Sequence, residues 1–468
     1  MKLLIFGTGK FYQKKKQELL DTDKIEAFVD NRANEIGSFE DKKVYHPNEI
    51  KKVAFDYIIV MATDYKNIRE QLHNIGIDDS KILDFEEYIS ISKRAFQRIL
   101  VAKGNSFKKI LVISEPLLFN GGAMAAVNAS LALTRRGYSV DITVAHADSA
   151  IIEILRNAGI GLIICPHLPY INQDDVDIFC DYDIALVNVF PMIRVACELS
   201  KRVPVLWWLH ESSDKYNYFY KNTRQKHYRY DNASLFNNIR IAAVSTIAKN
   251  VFESIYERKI DCIFPVGIND ESLSSKEEAD VSTIVFATLG TVAPAKGQLD
   301  VINAIKLLKN NQKEVEYKII GAIGDDDYEK KIKESSELQV SLEGVLNRDE
   351  LVAQRKKINV VICASYEETL CLSVVEGMMD SKICITTDET GIAEYIEDGV
   401  NGFVYKAGDI NTLAKKLQYI INHLNELDDM REKARDTYEK YFTLDILADN
   451  IEREIELTID NYTNHHNM

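Results

Sequence analysis

Short, nearly continuous apolar runs recur along this 468-residue chain, and a helical pattern comes after most of them. They include LLIFG (3–7), IEAFVDN (25–31), DYIIVMATD (56–64), KKILVISEP (108–116), SVDITVA (139–145), IGLIIC (160–165), DIALVNV (183–189), VPVLWWLHE (203–211), RIAAVS (240–245), STIVFATLG (282–290), VEYKIIG (315–321), NVVICAS (359–365) and KICITTD (382–388). A strand that is apolar on both faces has both faces covered, and strands alternating with helices build a parallel sheet between two helical layers. The rhythm restarts twice. It predicts a small doubly wound α/β unit over 1–95 and larger ones over 108–280 and 281–445. A connecting helix and linker are expected over 93–107, with 96–107 lying between units. A length prior of about 150 residues per domain agrees with three units. Residues 410–460 keep a helical pattern, and 446–468 is set apart as a tail ending in the polar NYTNHHNM.

A net charge of −15 argues against a general nucleic-acid binder, because a phosphate backbone is held by surplus Lys and Arg. It leaves room for one anionic small ligand at a locally positive site. The seven cysteines form no CxxC pair and mostly lie in apolar runs. That points to buried, reduced thiols in a cytosolic protein rather than to disulfides or zinc. The opening MKLLIFGTGK is too short an apolar run for a secretory signal. No window reaches the ~18 uninterrupted apolar residues that a membrane span needs.

The segment EETLCLSVVEGM (367–378) holds Glu368 and Glu376, eight positions apart in apolar surroundings. Stripping water from a carboxylate is costly, so each acid needs a partner. NVVICAS reads as a buried strand and LCLSVVEGMM as the helix after the next turn. In open α/β sheets ligands sit beyond the carboxyl ends of the strands, and a helix N-terminus there attracts phosphate. Thr369, Leu370 and Cys371 would supply its N–H groups. An ionised carboxylate only accepts hydrogen bonds, so Glu368 and Glu376 suit hydroxyls at two ends of one ligand. Two polyols flanking a diphosphate describe a nucleotide-sugar.

Glu-x7-Glu after a strand resembles the signature of family 4 retaining glycosyltransferases, whose GT-B fold has two Rossmann-like lobes with a cleft between them. The resemblance implies that Glu368 contacts the donor hexose and Glu376 the ribose. LGTVAPAKGQLDVINAI (289–305) is similar to the family's strand, loop and helix with Lys-Gly, which sets Lys296 on the diphosphate beside Gly290 and Thr291. FNGGAMAAVNASLA (119–132) resembles its glycine-rich turn, with Gly121 and Gly122. His210, in WWLHES, resembles the histidine that faces the donor sugar. VSLEGVLNRDEL (340–351) falls where the base is read through backbone groups, around Gly344 and Val345. DETGIAEYIEDGVNGFVY (388–405), VSTIAKNVF (244–252) and FPVGIN (264–269) extend the likeness over roughly 108–455. The tail, 446–468, would then cross back to the first lobe. Three positions depart: Thr291 stands where an Arg is usual, Thr369-Leu370-Cys371 replaces Gly-Phe-Gly, and Val266 replaces an Asn.

The resemblance implies transfer of a hexose-type sugar, with retained configuration, from a nucleotide-diphosphate sugar, UDP being taken over GDP. The acceptor would be a glycan, a lipid-linked glycan or a protein, as in bacterial surface polysaccharide or glycoconjugate synthesis. Lys296 and the helix N-terminus at Thr369–Cys371 would stabilise charge on the departing diphosphate. No general base, cofactor or metal is required; Asp325-Asp326-Asp327 reads as a solvated loop. The competing reading is an inactive nucleotide-sugar-binding scaffold that partners an active transferase. Release of the nucleotide separates the two.

In the first unit, GTGKFY keeps Gly7 and Gly9 of a dinucleotide fingerprint, and Asp30 ends the second strand, where an acid binds ribose. Tyr12, at the third fingerprint position, would crowd a phosphate. FVDNRANEIGS also resembles the front domains of sugar-modifying acetyltransferases. Two readings stand: a nucleotide or nucleotide-sugar site, and a retained fold used for docking or oligomerisation. KYNYFYKNTRQKHYRY (215–230) mixes six Tyr or Phe with five Lys or Arg. It reads as an acceptor loop that meets a lipid-diphosphate carrier at a membrane surface, or as a structural helical excursion.

Overall fold

The computed structural model describes residues 1–16, 19, 22–91, 96–104, 108–171, 173–222, 233–272, 283–309, 314–335 and 339–466. All thirteen apolar runs form strands, distributed over three sheets. The first sheet runs Ser38–Phe39, Lys42–Tyr45, Ile25–Val29, Leu3–Phe6, Tyr57–Val60, Ile82–Asp84 in spatial order. The second runs Cys262–Ile263, Ile239–Ala243, Val205–Leu209, Ile184–Asn188, Lys109–Ile113, Ser139–Val144, Gly161–Ile164, Gln97–Leu100. The third runs Val340–Gly344, Glu314–Ile320, Thr283–Leu289, Val360–Cys363, Ile383–Thr387, Phe403–Tyr405. Pairing is parallel except at Ser38–Phe39 with Lys42–Tyr45 and at Gln97–Leu100 with Gly161–Ile164.

The two-residue period of a strand sorts neighbours into opposite layers. In the second sheet Ile110, Val112 and Trp208 join one buried cluster, while Leu111, Ile113 and Trp207 join the other. Each indole finds an acceptor, Trp207 Nε1 donating to the Val189 carbonyl at 2.9 Å and Trp208 Nε1 to that of Phe264 at 3.3 Å. Both rings are therefore buried without an orphaned N–H.

Three expectations are corrected. The connecting helix expected within 93–107 gives way at Gln97–Leu100 to an edge strand. An open sheet edge presents unpaired backbone groups, and this segment pairs them; Arg98 then clamps Asp141 at 2.7 Å. The acidic run is no loop: Asp325 caps the helix Asp326–Glu334, accepting from Tyr328 N at 2.8 Å, and Asp326 and Asp327 sit in its first turn. Acids there complement the helix dipole. Tyr12 does not crowd the N-terminal glycine turn. It is 2% exposed, packs edge-on against Phe28 and Phe39, and donates its hydroxyl to Glu40 at 2.7 Å.

The last helix, Leu444–His466, packs against Gly121–Arg135 of the second unit. Arg136 meets Asp449 at 2.6 Å, and Arg240 meets Glu454 at 2.6 Å on the helix's buried side. The two larger units are thus tied together at the chain's end as well as at Ile268, whose N–H donates to the Phe442 carbonyl at 2.7 Å.

Candidate functional site

A cavity of about 420 Å³ lies between the second and third units, at the carboxyl ends of their strands. Its walls include Asn120, Gly121 and Gly122 from one side and Gly290, Thr291, Lys296, Glu368, Thr369, Leu370 and Cys371 from the other, with His210 also facing it. Each wall brings the N-terminus of a helix. Gly121–Arg135 begins after Asn120, whose side chain accepts from Ala123 N at 2.9 Å. Leu372–Met379 begins after Cys371. The first N–H groups of a helix have no partner within it, and its dipole is positive at that end. Two such ends and a lysine make this cavity attractive to an anion.

A Cβ on Gly122 would lie 2.8 Å from Glu115 Oε1 and 3.0 Å from Val189 Cγ1, so a larger residue there requires both side chains to give way. Lys296 ends a short helical turn, Pro294–Lys296, and Gly297 comes next with φ +65°. A Cβ on Gly297 would lie 2.1 Å from the Ala364 carbonyl oxygen. Gly297→Ala is therefore expected to lower unfolding free energy by about 2–4 kcal/mol, through strain and backbone clash together. Denaturant unfolding of the two proteins checks this; an unchanged midpoint would contradict the close approach.

Lys296 forms an ion pair with Glu368 across 72 residues of sequence. Burial works against the ammonium, yet the adjacent Glu368 carboxylate outweighs it and leaves the Lys296 pKa raised. Lys296 is therefore charged across the physiological range. Burial pushes the His210 imidazole down to about 3, so its ring is neutral, and its buried Nε2 has no hydrogen-bond partner among the described residues. The ring lies 4.4 Å from that of Trp208, edge-on. The His210 carbonyl accepts from Thr369 Oγ1 at 2.8 Å, which links the two walls.

The remaining expected residues lie apart from this cavity. Glu376 faces a small void with Arg355, Asp380 and Lys382, which shares Leu289 and Ser373 with the cleft wall. Burial pushes the Glu376 carboxyl up, with Arg355 opposing. Gly344 closes its strand at φ +69°, and Val345 is 75% exposed; neither lines the cleft. In the first unit Gly7 takes φ +108°, and a Cβ there would sit 2.8 Å from the Met61 carbonyl oxygen, whereas Gly9 borders open space. Asp30 is engaged within the chain: Oδ2 accepts from Thr8 Oγ1 at 2.8 Å and Oδ1 from Arg32 N at 3.0 Å. The basic-aromatic stretch begins as the helix Ser213–Asn222; residues 223–230 lie outside the described residues.

Sequence reasoning missed two features. Glu367 reaches across to the other unit and accepts from Ser213 N at 2.7 Å, capping that helix from outside. Cys363, Ser365, Thr288 and Gln298 also line the cavity. The paired acids Glu367-Glu368 were the one local hint; the rest depends on how the units meet.

Residues 269–437 match the family model described as glycosyl transferases group 1, and residues 1–83 match that of the C2185-like N-terminal family. With the two lobes and the cleft, this defines the class: a glycosyltransferase carrying a group 1 domain, with the GT-B fold and a further doubly wound N-terminal domain. Among its relatives, a trehalose synthase of Thermococcus litoralis is 26% identical over 313 residues, 61% of this chain and 71% of that protein. A glycosyltransferase of Methanocaldococcus jannaschii is 28% identical over 209 residues, 44% of this chain and 56% of the relative. Among solved structures, HepE of Anabaena in complex with UDP and glucose aligns with a TM-score of 0.62 at 18% identity, over 75% of this chain and 99% of that one.

Proposed function

We propose that the cleft binds a nucleotide-diphosphate sugar, UDP-linked, and that the protein transfers its hexose-type sugar with retained configuration. The observation that carries this is the convergence of Lys296 and two helix N-termini, one from each lobe, on a single cavity. The complex of HepE with UDP and glucose supports the choice of base and sugar. Glu368 takes a sugar hydroxyl, His210 presents a neutral ring to the sugar, and Lys296 moves its charge from Glu368 to the leaving diphosphate. Glu376 acts on the ribose end from behind the wall that its own small void shares with the cleft at Ser373. Charge builds on the leaving phosphate, so stabilising it accelerates the step. The departing diphosphate helps remove the acceptor proton in a front-face attack, without a metal. The acceptor is a glycan, lipid-linked glycan or protein in surface polysaccharide or glycoconjugate synthesis, reached on the cytoplasmic face of the membrane. The N-terminal domain, whose Asp30 is already engaged, serves docking.

A thermal-shift titration of the full chain and of Glu376→Ala, with UDP, GDP, their sugars and NAD, tests the reading. A ligand bound only by the native state stabilises it by about 2.7 kcal/mol at a hundredfold excess over Kd. UDP and a UDP-sugar are expected to raise the melting temperature, and the variant to lose most of that rise. A response to NAD alone, or an equal response of the variant, would refute it.

A further inference from the structure

Three consecutive residues at the cleft reach three different partners. Glu368, in the middle, pairs with Lys296 on its own lobe. Glu367 and Thr369, on either side of it, reach the other lobe. Glu367 accepts from Ser213 N at 2.7 Å with one carboxylate oxygen and from Ser213 Oγ at 2.5 Å with the other. Thr369 Oγ1 donates to the His210 carbonyl at 2.8 Å. Glu368 forms a parallel bridge with Thr390, and side chains along such a segment alternate in direction. One short loop thus serves the sugar site and the opposite wall together.

The loop is bonded to a second segment that makes the same kind of contact. Glu368 N donates to the Glu389 carbonyl at 3.0 Å, and Gly391 N donates to that of Glu368 at 2.9 Å. Beyond Gly391, Glu394 accepts from Thr246 N and from Thr246 Oγ1, each at 3.0 Å. A Cβ on Gly391 would lie 2.0 Å from the Thr369 carbonyl oxygen and 2.7 Å from Ser245 Cβ, so the lobes approach closely between the two contacts. Ser213 and Thr246 are the first residues of the helices Ser213–Asn222 and Thr246–Ile255. An N–H there has no partner within its helix, and the helix dipole favours a carboxylate beside it. The two helices differ in what else holds them. Thr246–Ile255 is also capped by its own Ser245, whose hydroxyl accepts from Ala248 N at 3.2 Å. Ser213–Asn222 opens the basic-aromatic stretch just after His210, and its start is tied to the loop through Glu367. Glu367 itself does not line the cavity.

We propose that Glu367 is a positioning residue: it sets the helix Ser213–Asn222 of the opposite lobe against the donor site and couples that helix to occupancy of the cleft. A donor that touches Glu368 on one wall and the Gly121–Gly122 turn on the other binds the arrangement in which the two walls face each other. Binding therefore strengthens the contact of Glu367 with Ser213, and by linkage the loss of that contact weakens binding. The coupling rests on the donor-cleft reading above; the placement of the helix by Glu367 does not.

The experiment is hydrogen–deuterium exchange of the full chain, with and without UDP-glucose, in the wild type, Glu367→Ala, Glu367→Gln and Glu394→Ala. In the empty protein Glu367→Ala is expected to speed exchange over 213–222 about fivefold, the usual effect of losing a helix cap. UDP-glucose is expected to slow that segment about fivefold in the wild type and not in Glu367→Ala, while 369–379 slows in both. Glu367→Gln keeps an acceptor for Ser213 N and is expected to restore the response. Glu394→Ala is expected to release 246–255 and to leave the response of 213–222 intact. Empty Glu367→Ala that exchanges like the wild type over 213–222 would overturn the placement. The coupling would be overturned by a wild type that slows over 369–379 but not over 213–222, or by Glu367→Ala slowing over both. Equal loss of the response in Glu394→Ala would assign it to docking of the whole lobes and remove the special role of Glu367. No slowing of either segment in the wild type would refute the donor reading and the coupling with it, and the empty proteins would still decide the placement.

Discussion

Lys296→Met is expected to lower sugar transfer, and release of UDP from the donor, by roughly 10²–10³-fold in kcat, the usual effect of removing one preorganised stabiliser of developing charge. Methionine keeps most of the volume, so the packing of Pro294–Lys296 survives and only the charge is lost. Among the described residues lining the cavity Lys296 is the one lysine or arginine, and Thr291 adds no second cation beside it. The variant also leaves Glu368 without its partner in the empty cleft. A carboxylate facing the phosphates then weakens donor binding as well, so KM rises together with the fall in kcat. Steady-state kinetics of UDP release decides it. A change in KM alone would reduce Lys296 to a binding contact, and no change in either would remove it from the site.

Arg240→Met is expected to destabilise the paired lobes by about 3–5 kcal/mol, the usual effect of removing one partner from a buried ion pair. Arg240 Nε meets Glu454 Oε2 at 2.6 Å, with side chains 16% and 3% exposed. Arg453, mostly in solvent, meets the other Glu454 oxygen at 3.1 Å. The pH dependence identifies the mechanism. Burial alone would raise the Glu454 pKa, but hydrogen bonds from Arg240, Cys262 and Arg453 leave it lowered. A carboxyl lowered on folding adds stability that is present above its unfolded value near 4.5 and lost as pH falls through the folded one. Without Arg240 two of the lowering causes are gone and burial still opposes ionisation, so the Glu454 carboxyl contributes less stability at pH 7 and the loss is smaller at pH 4. Chemical denaturation at pH 4 and pH 7 separates the cases. A uniform loss at both values would point to lost packing rather than to a stranded charge.

The doubly wound layout was legible because it is local. Each of the thirteen apolar runs carries its own strand signal, and a helical pattern marks most of the segments between them, so sheet type and domain restarts could be read without knowing any contact. Strands such as Ser38–Phe39, Ile82–Asp84, Gln97–Leu100, Cys262–Ile263 and Phe403–Tyr405 were not legible in this way, and each lies at a sheet edge. An edge strand is short and half-covered, so its sequence carries little periodicity, and it exists because a neighbour offers an unpaired backbone. Tyr12 shows the same limit at one side chain. The fingerprint spacing placed it at the glycine turn, but whether its ring faced that turn or the core depended on Phe28, Phe39 and Glu40, all distant in sequence.

By itself, then, the sequence determined the main strands, the helices and the residues standing at the ends of strands, because strand periodicity, helix caps and glycine turns act over a few residues. It thereby put Lys296, Glu368, Gly121 and His210 where ligands of α/β folds bind. The tertiary structure alone decided which of them meet. The pairing of Lys296 with Glu368, the reach of Glu367 to Ser213 and the separation of Glu376 from the main cavity all arise from how strands align and lobes pack. Such contacts are selected by the burial and shape of the whole molecule, which no short stretch of sequence encodes.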